Sequence, residues 1–194
     1  MPGSPPQRGA PAGLEVLATA EELREIVARL GAELDAAHPE GVLLVGVLKG
    51  SVCFLADLMR RMTVPVEVDL LAISPYRPDS GRVRLVKDLE RDIAGRAVVL
   101  VEDLVDTGLT LTYLRRELEG RGPASLAVVT LLDKPARRLV PVTIDHVGLS
   151  VPDRFVIGYG LDFAGRYRNL DGLWAVDELA LAAEPDRHLL DLYG

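Results

Sequence analysis

Cysteine is almost missing from this chain: Cys53 stands alone among 194 residues. A single thiol excludes an intramolecular disulfide and any zinc site built on several cysteines, and it fits a reducing compartment in which Cys53 is a small buried apolar residue. Histidine is nearly as rare, and His38, His146 and His188 are scattered outside any motif, so they read as structural or solvated. Positive charge is also short, with 22 Lys and Arg against 29 Asp and Glu and a formal net charge of -7. Nothing in that balance attracts nucleic acid or an anionic membrane, so a phosphorylated ligand has to be held by a local site. No segment reaches the roughly 18 uninterrupted apolar residues of a spanning helix, and the N-terminus lacks the apolar stretch of a signal peptide. The expectation is a soluble cytoplasmic protein.

What is present is apolar substance in short pieces. With 48% apolar residues, the chain can bury one substantial core and is too short for two full domains. Residues 1–12 hold Pro2, Pro5, Pro6 and Pro11 with two glycines, which leaves them a disordered tail ahead of a single domain over residues 13–194. Thr19 and Glu22 form a capping box, and Leu23, Ile26, Val27, Leu30 and Leu34 recur at helical spacing behind it. Residues 42–48 (VLLVGVL) are a nearly continuous apolar run, broken by Lys49-Gly50-Ser51 and resumed with helical period over residues 52–62.

Residues 66–73 predict a second strand. Residues 74–84 (SPYRPDSGRVR) are polar and proline-broken, which predicts a mobile loop. Residues 97–101 (AVVLV) give another apolar strand, then an acidic turn, then Leu111, Leu114 and Leu118 on one helical face; residues 126–132 repeat the strand signal. Residues 177–194 predict one short amphipathic helix and an irregular end. Strands that read as unbroken apolar runs, alternating with helices, imply an α/β fold with a mostly parallel open sheet flanked by helices. In such sheets ligands bind beyond the carboxyl ends of the strands, where this sequence keeps its unusual loops.

The most informative loop lies in residues 98–110, VVLVEDLVDTGLT. A strand delivers Glu102 and Asp103, and Asp106-Thr107-Gly108 then opens a helix whose unpaired N–H groups can cradle a phosphate. Carboxylates beside such a cradle repel the ligand unless they hold something else, and ribose hydroxyls or a magnesium ion are the candidates. An acidic strand-to-helix turn with an ordinary cap, or a phosphoacceptor aspartate, is the competing reading.

This segment resembles the phosphoribosyl pyrophosphate signature of type I phosphoribosyltransferases, and its Glu-Asp-x-x-Asp-Thr-Gly form is similar to the hypoxanthine-guanine branch. The resemblance extends over residues 21–176 in four ordered motifs. It implies the fold of that family, with a small hood made from terminal segments. Glu102 and Asp103 are implied to hold the ribose hydroxyls, directly or through Mg2+, and Asp106 to act as general base near N7 of a purine. Residues 106–110 are implied to wrap the 5'-phosphate through main-chain N–H groups and the hydroxyls of Thr107 and Thr110. Leu109 stands where some relatives carry a basic residue and can offer only its backbone.

Three companion motifs support the same resemblance. Lys49 and Gly50 match the pyrophosphate loop, although alone they are a common turn. Lys134 matches the lysine that reaches the exocyclic oxygen of the base; an ammonium only donates hydrogen bonds, which favours a 6-oxo over a 6-amino purine. On its own Lys134 reads as a solvated strand-end lysine. In residues 155–168 (FVIGYGLDFAGRYR) Phe155 is implied to stack on the purine, Val156 to meet its edge, Asp162 to bind a second magnesium and Arg168 to contact pyrophosphate; without the resemblance the first three residues are a core strand. Tyr76 resembles the tyrosine of the family's closing lid, although Pro75 precedes it where a serine is usual.

The implied activity is purine salvage: transfer of the phosphoribosyl group from phosphoribosyl pyrophosphate to hypoxanthine or guanine, with pyrophosphate released. The implied partners are those two small molecules and copies of the chain in a homodimer or homotetramer, with no nucleic acid and no membrane. The alternatives are an enzyme of the same fold with another base preference, and a regulator that senses phosphoribosyl pyrophosphate without catalysis.

Overall fold

A computed structural model of the protein describes residues 13–74 and 84–193. The tail expected over residues 1–12, and Pro75 and Tyr76 with most of the expected loop, lie outside the described residues. The elements are β1 (Leu14–Ala18), α1 (Ala20–Ala37), β2 (Val42–Leu48), α2 (Val52–Arg61), β3 (Val66–Ile73), β4 (Leu85–Lys87), β5 (Ala97–Val105), α3 (Leu109–Glu119), β6 (Ser125–Asp133), β7 (His146–Ser150), β8 (Phe155–Ile157), β9 (Leu173–Val176), α4 (Glu178–Ala183) and α5 (Leu189–Tyr193). Six strands form one sheet in the order β4-β3-β2-β5-β6-β7. All neighbours run parallel except β4, which lies antiparallel on the β3 edge.

The apolar runs of the sequence are explained by helices on both faces. Along β2, Leu43, Val45 and Val47 join Leu111, Leu114 and Leu118 of α3 in one cluster. Val42 and Leu44 join the opposite cluster, with Leu23, Val27, Leu30 and Leu34 of α1 and Phe54 and Leu58 of α2. Each successive strand residue therefore meets an apolar layer, and no polar position is available. The helix α1 begins as its sequence dictates: Thr19 and Glu22 make both hydrogen bonds of the capping box.

Helices do not alternate with strands throughout. The chain passes from β3 to β5 by way of β4, and from β6 to β7 by a segment whose only regular piece is a 3-10 turn, Pro135–Arg137. Strands as short and interrupted as β4 and β7 carry no run long enough to read, which is why periodicity passes over them. At the ends of the long loop, Ser74 and Arg84 are joined by a 2.8 Å backbone hydrogen bond.

A second sheet, β1-β9-β8, is antiparallel and built from both ends of the domain. Residues 155–157 thus form a strand, but in this hood and not in the main sheet. The C-terminal end holds two short helices where one was expected; Asp177 caps α4 by accepting the N–H groups of Leu179 and Ala180. Cys53 is free and half-buried. His146 pairs with Glu33 at 2.9 Å and His188 is buried beneath the hood, so both are structural. No described helix is long and apolar enough to cross a membrane.

Candidate active site

From β2 the chain crosses by α2 to β3 on one side, and from β5 it crosses by α3 to β6 on the other. The adjacent carboxyl ends of β2 and β5 are therefore the point where strand order reverses and a crevice opens. A cavity of about 630 Å³ occupies it. Of the residues assigned from sequence that the structure describes, all but Leu109 line this cavity. Leu109 is the first residue of α3 and turns to solvent.

At the end of β2 the Leu48–Lys49 peptide is cis, and the buried Ser51 hydroxyl donates to the Val47 carbonyl at 2.6 Å. Gly50 shows why its side chain is a single hydrogen. A Cβ built there would stand 1.4 Å from Oδ2 of Asp103. The turn after β2 and the acidic pair of β5, some fifty residues apart in sequence, touch at this point.

The strand β5 runs four residues beyond the apolar stretch that announces it, so Glu102 and Asp103 lie within the strand and not in the turn after it. They are adjacent in sequence, yet strand alternation sets them on opposite faces: Glu102 follows the face of Val98 and Leu100, Asp103 that of Val99 and Val101. Both carboxylates open on the same crevice because the sheet ends there. Burial, with the neighbouring Asp103 charge added, pushes the Glu102 carboxyl well above its usual range. Asp103 is pushed up to about 6, first by burial and then by Asp162, against the Leu104 N–H and Arg168.

The sign of that shift makes a prediction. A carboxyl raised in the folded state is least costly when protonated, so its contribution to stability is full below its ordinary value near 4 and is lost as pH rises through about 6. Asp103→Asn, which cannot ionise, is expected to melt on the order of 5 °C above the parent at pH 7.5 in EDTA, with the gap closing toward pH 4.5. A gap that does not change with pH in differential scanning calorimetry would remove burial as the cause.

After β5, Gly108 adopts φ of 84° and is the cap of α3. A Cβ there would meet the Val140 carbonyl at 3.0 Å and the Arg138 side chain at 3.1 Å, because residues 138–142 pack against this turn. The Thr107 carbonyl accepts from Leu139 N–H at 3.0 Å, and Leu109 N–H leans on the Thr107 hydroxyl. Fixed from behind, the turn sets the N-terminal end of α3 beside the cavity at Thr110, an arrangement whose N–H groups can accept an anion.

Asp106 projects between this turn and the loop after β6. Its Oδ1 is buried without a hydrogen-bond partner, although Nε of Arg137 lies 3.1 Å away out of hydrogen-bond alignment. A buried acceptor so placed is open to an N–H from a ligand. Lys134 is only 4% exposed; burial pulls its ammonium below the usual lysine range, opposed by Asp106, Asp153 and Glu178. The solvated lysine suggested by isolated sequence reading is therefore excluded.

Across the cavity, Phe155 is steadied by an edge-to-face contact with Phe163 at 5.6 Å, and Val156 beside it is buried. Arg168 donates to the Gly160 carbonyl and pairs with Asp162, both at 2.6 Å. Asp162 also accepts the Gly165 N–H at 2.7 Å, so each of its oxygens already has a partner with which a metal would share it. Among the described residues no group of three or more His, Cys, Asp or Glu can hold a metal ion unaided. Glu102 and Asp103 offer two oxygen-bearing groups only, a donor set suited to a hard cation that takes its remaining ligands from water and substrate.

Two charged lining residues were not anticipated. Arg137 follows Lys134 by three positions, and the 3-10 turn started by Pro135 folds it back over Asp106; the Lys-Pro pair was the available signal. Glu178 enters from α4 and carries no local signal at all.

An open α/β sheet with a glycine turn at a helix start, a buried acid pair and a cavity at its switch point is the architecture on which the comparisons with known proteins bear. Residues 15–164 match the model of the phosphoribosyl transferase domain, and the chain belongs to that family. It is 47% identical over 172 residues to a hypoxanthine-guanine phosphoribosyltransferase of Mycobacterium avium, covering 84% of this chain and 85% of the relative. It is 44% identical over 163 residues to a hypoxanthine phosphoribosyltransferase of Salmonella typhimurium, with 81% and 92% covered. A crystal structure of a hypoxanthine-guanine phosphoribosyltransferase from Bacillus anthracis superposes with a TM-score of 0.81 at 39% identity, over 84% of this chain and 98% of that one.

Proposed function

We propose that the protein transfers the 5-phosphoribosyl group of phosphoribosyl pyrophosphate to a 6-oxopurine, hypoxanthine or guanine, giving the nucleoside monophosphate and pyrophosphate. The observation that carries the reading is the meeting, in one cavity, of the phosphate turn, the buried acid pair, the unpartnered Asp106 oxygen and the buried Lys134 facing Phe155.

Each group has work that its chemistry permits. The N–H groups of residues 106–110, with the hydroxyls of Thr107 and Thr110, hold the 5'-phosphate. Glu102 and Asp103 hold the ribose hydroxyls, directly or through Mg2+, and their negative charge offsets the positive charge that grows on the sugar as the C1–O bond to pyrophosphate breaks. A magnesium ion bound there supplies charge neutralisation for the departing pyrophosphate. Lys49, Gly50 and Arg168 face that leaving group, and Asp162, already paired with Arg168, is the residue a second magnesium would share. Lys134 donates to the 6-oxo group, Phe155 stacks on the ring and Val156 meets its edge. Asp106 accepts the N7 proton as the base attacks C1. Tyr76, outside the described residues, is assigned the lid role that the resemblance implies, closing over the reacting atoms and excluding water. Val52 and Met59, exposed on α2, give the expected homodimer or homotetramer an apolar face.

The test is direct. The protein is incubated with phosphoribosyl pyrophosphate, Mg2+ and, in turn, hypoxanthine, guanine, xanthine and adenine, and pyrophosphate release is measured. Release with the first two bases and none with adenine is expected. Silence with every base would end the reading, as would release with adenine alone.

A further inference from the structure

Tyr159 follows the end of β8 by two positions and does not line the cavity. It is buried, and its backbone holds φ of 44°, which a residue other than glycine seldom adopts unless its surroundings impose it. Its N–H donates to the Leu170 carbonyl at 3.0 Å, and its hydroxyl donates to Oδ2 of Asp57 at 2.6 Å. Asp57 lies on α2, the helix that begins two residues after Gly50, and its other oxygen pairs with Arg60. Burial, with the Asp57 hydrogen bond added, pushes the Tyr159 phenol above its usual range, so it remains a donor at neutral pH. Beside Tyr159, the Gly160 N–H donates to the Arg168 carbonyl at 2.8 Å, and the Gly160 carbonyl accepts from the Arg168 guanidinium at 2.6 Å. Gly160 also lies against the turn after β2: a Cβ added to it would stand 2.1 Å from the Gly50 carbonyl oxygen and 3.6 Å from Cβ of Cys53 on α2. One residue thus backs both Arg168 and the Lys49-Gly50 turn, and the bond next to it ties that contact to α2.

We propose that Tyr159 and Asp57 are a positioning pair whose hydrogen bond sets the spacing between Arg168 and the Lys49-Gly50 turn, and with it the affinity for the pyrophosphate end of the substrate. The inference rests on the purine-salvage reading. Neither side chain touches a ligand; both act through Gly160 and α2. The turn over residues 106–110 has its own support in residues 138–142, which pack behind Gly108. Loosening the pair therefore falls on the pyrophosphate end and leaves the 5'-phosphate end in place.

The experiment titrates phosphoribosyl pyrophosphate, pyrophosphate and inosine 5'-monophosphate, each with Mg2+, into the parent protein, Tyr159→Phe, Asp57→Ala and Asp57→Asn by isothermal calorimetry. Tyr159→Phe and Asp57→Ala are expected to weaken the two ligands that carry pyrophosphate about tenfold, with the monophosphate held within about twofold. Asp57→Asn keeps an acceptor oxygen for the phenol and is expected to recover most of the affinity that Asp57→Ala loses. Equal weakening of all three ligands overturns the proposal, since it makes the pair a general support of the fold. Unmoved affinities overturn it as well, and so does an Asp57→Asn variant as weak as Asp57→Ala, which would assign the effect to charge. A parent protein that releases no pyrophosphate with any base defeats the salvage reading, whereas an active parent whose variants bind unchanged removes only the role of this pair.

Discussion

Asp106→Asn is expected to lower turnover about a hundredfold while leaving nucleoside monophosphate binding within about threefold. The substitution keeps the shape of the side chain and the fit beside Thr107, but an amide cannot take up a proton at neutral pH. The Oδ1 atom is the group at stake: it is buried, lacks a hydrogen-bond partner and lines the cavity with Lys134. In the proposed role the residue acts on the proton of the incoming base and not on the phosphate, so the loss is expected in kcat and not in affinity for the product. Single-turnover kinetics with isothermal titration of the monophosphate separates the two. Unchanged turnover would take the base role away from Asp106, and a parallel loss of binding would mean that it supports the phosphate turn instead.

Gly50→Ala is expected to cost at least about a hundredfold in kcat/KM, with a lowered melting temperature. The added Cβ would fall 1.4 Å from Oδ2 and 2.6 Å from Cγ of Asp103, distances no side-chain adjustment at position 50 can relieve. The loop cannot simply back away, because a Cβ at Gly160 would stand 2.1 Å from the Gly50 carbonyl, a measure of how tightly residues 158–160 close behind it. Either Asp103 leaves the crevice or the turn after β2 is pushed off its path, and each outcome dismantles the site. A displacement of about 1 Å in a positioned group is enough to cost two orders of magnitude in rate. Activity within tenfold of the parent would show that the two segments separate freely, contrary to their packing.

The sequence was most readable where one physical signal dominated. Strands β2 and β3 fall within the ranges that their apolar runs predict, and the capping box starts α1, because local hydrogen bonding and two-sided burial leave these residues little choice. The extension of β5 through Val105 was hidden, since its last residues pair with β6 but meet a cavity in place of a core, and so carry acids. Strands β1 and β9 were hidden for another reason: each is short and gains its partner from the opposite end of the domain. Arg137 and Glu178 show the same limit within the site. Neither belongs to a motif, and each becomes part of the cavity only through a turn or a cap that folds it inward.

By itself the sequence determined the chemistry in stock: one glycine turn at the start of a helix, one acid pair, one lysine after a buried strand, and apolar runs that require helices on both faces of a sheet. Those depend on residues within a turn or a strand of one another. Only the tertiary structure decided which of these groups share a space and in what state of charge. Burial of Lys134, the raised carboxyls of Glu102 and Asp103, and the contact of Gly50 with Asp103 all arise between segments tens of residues apart, where desolvation and closest approach are properties of the packed molecule and not of any stretch of chain.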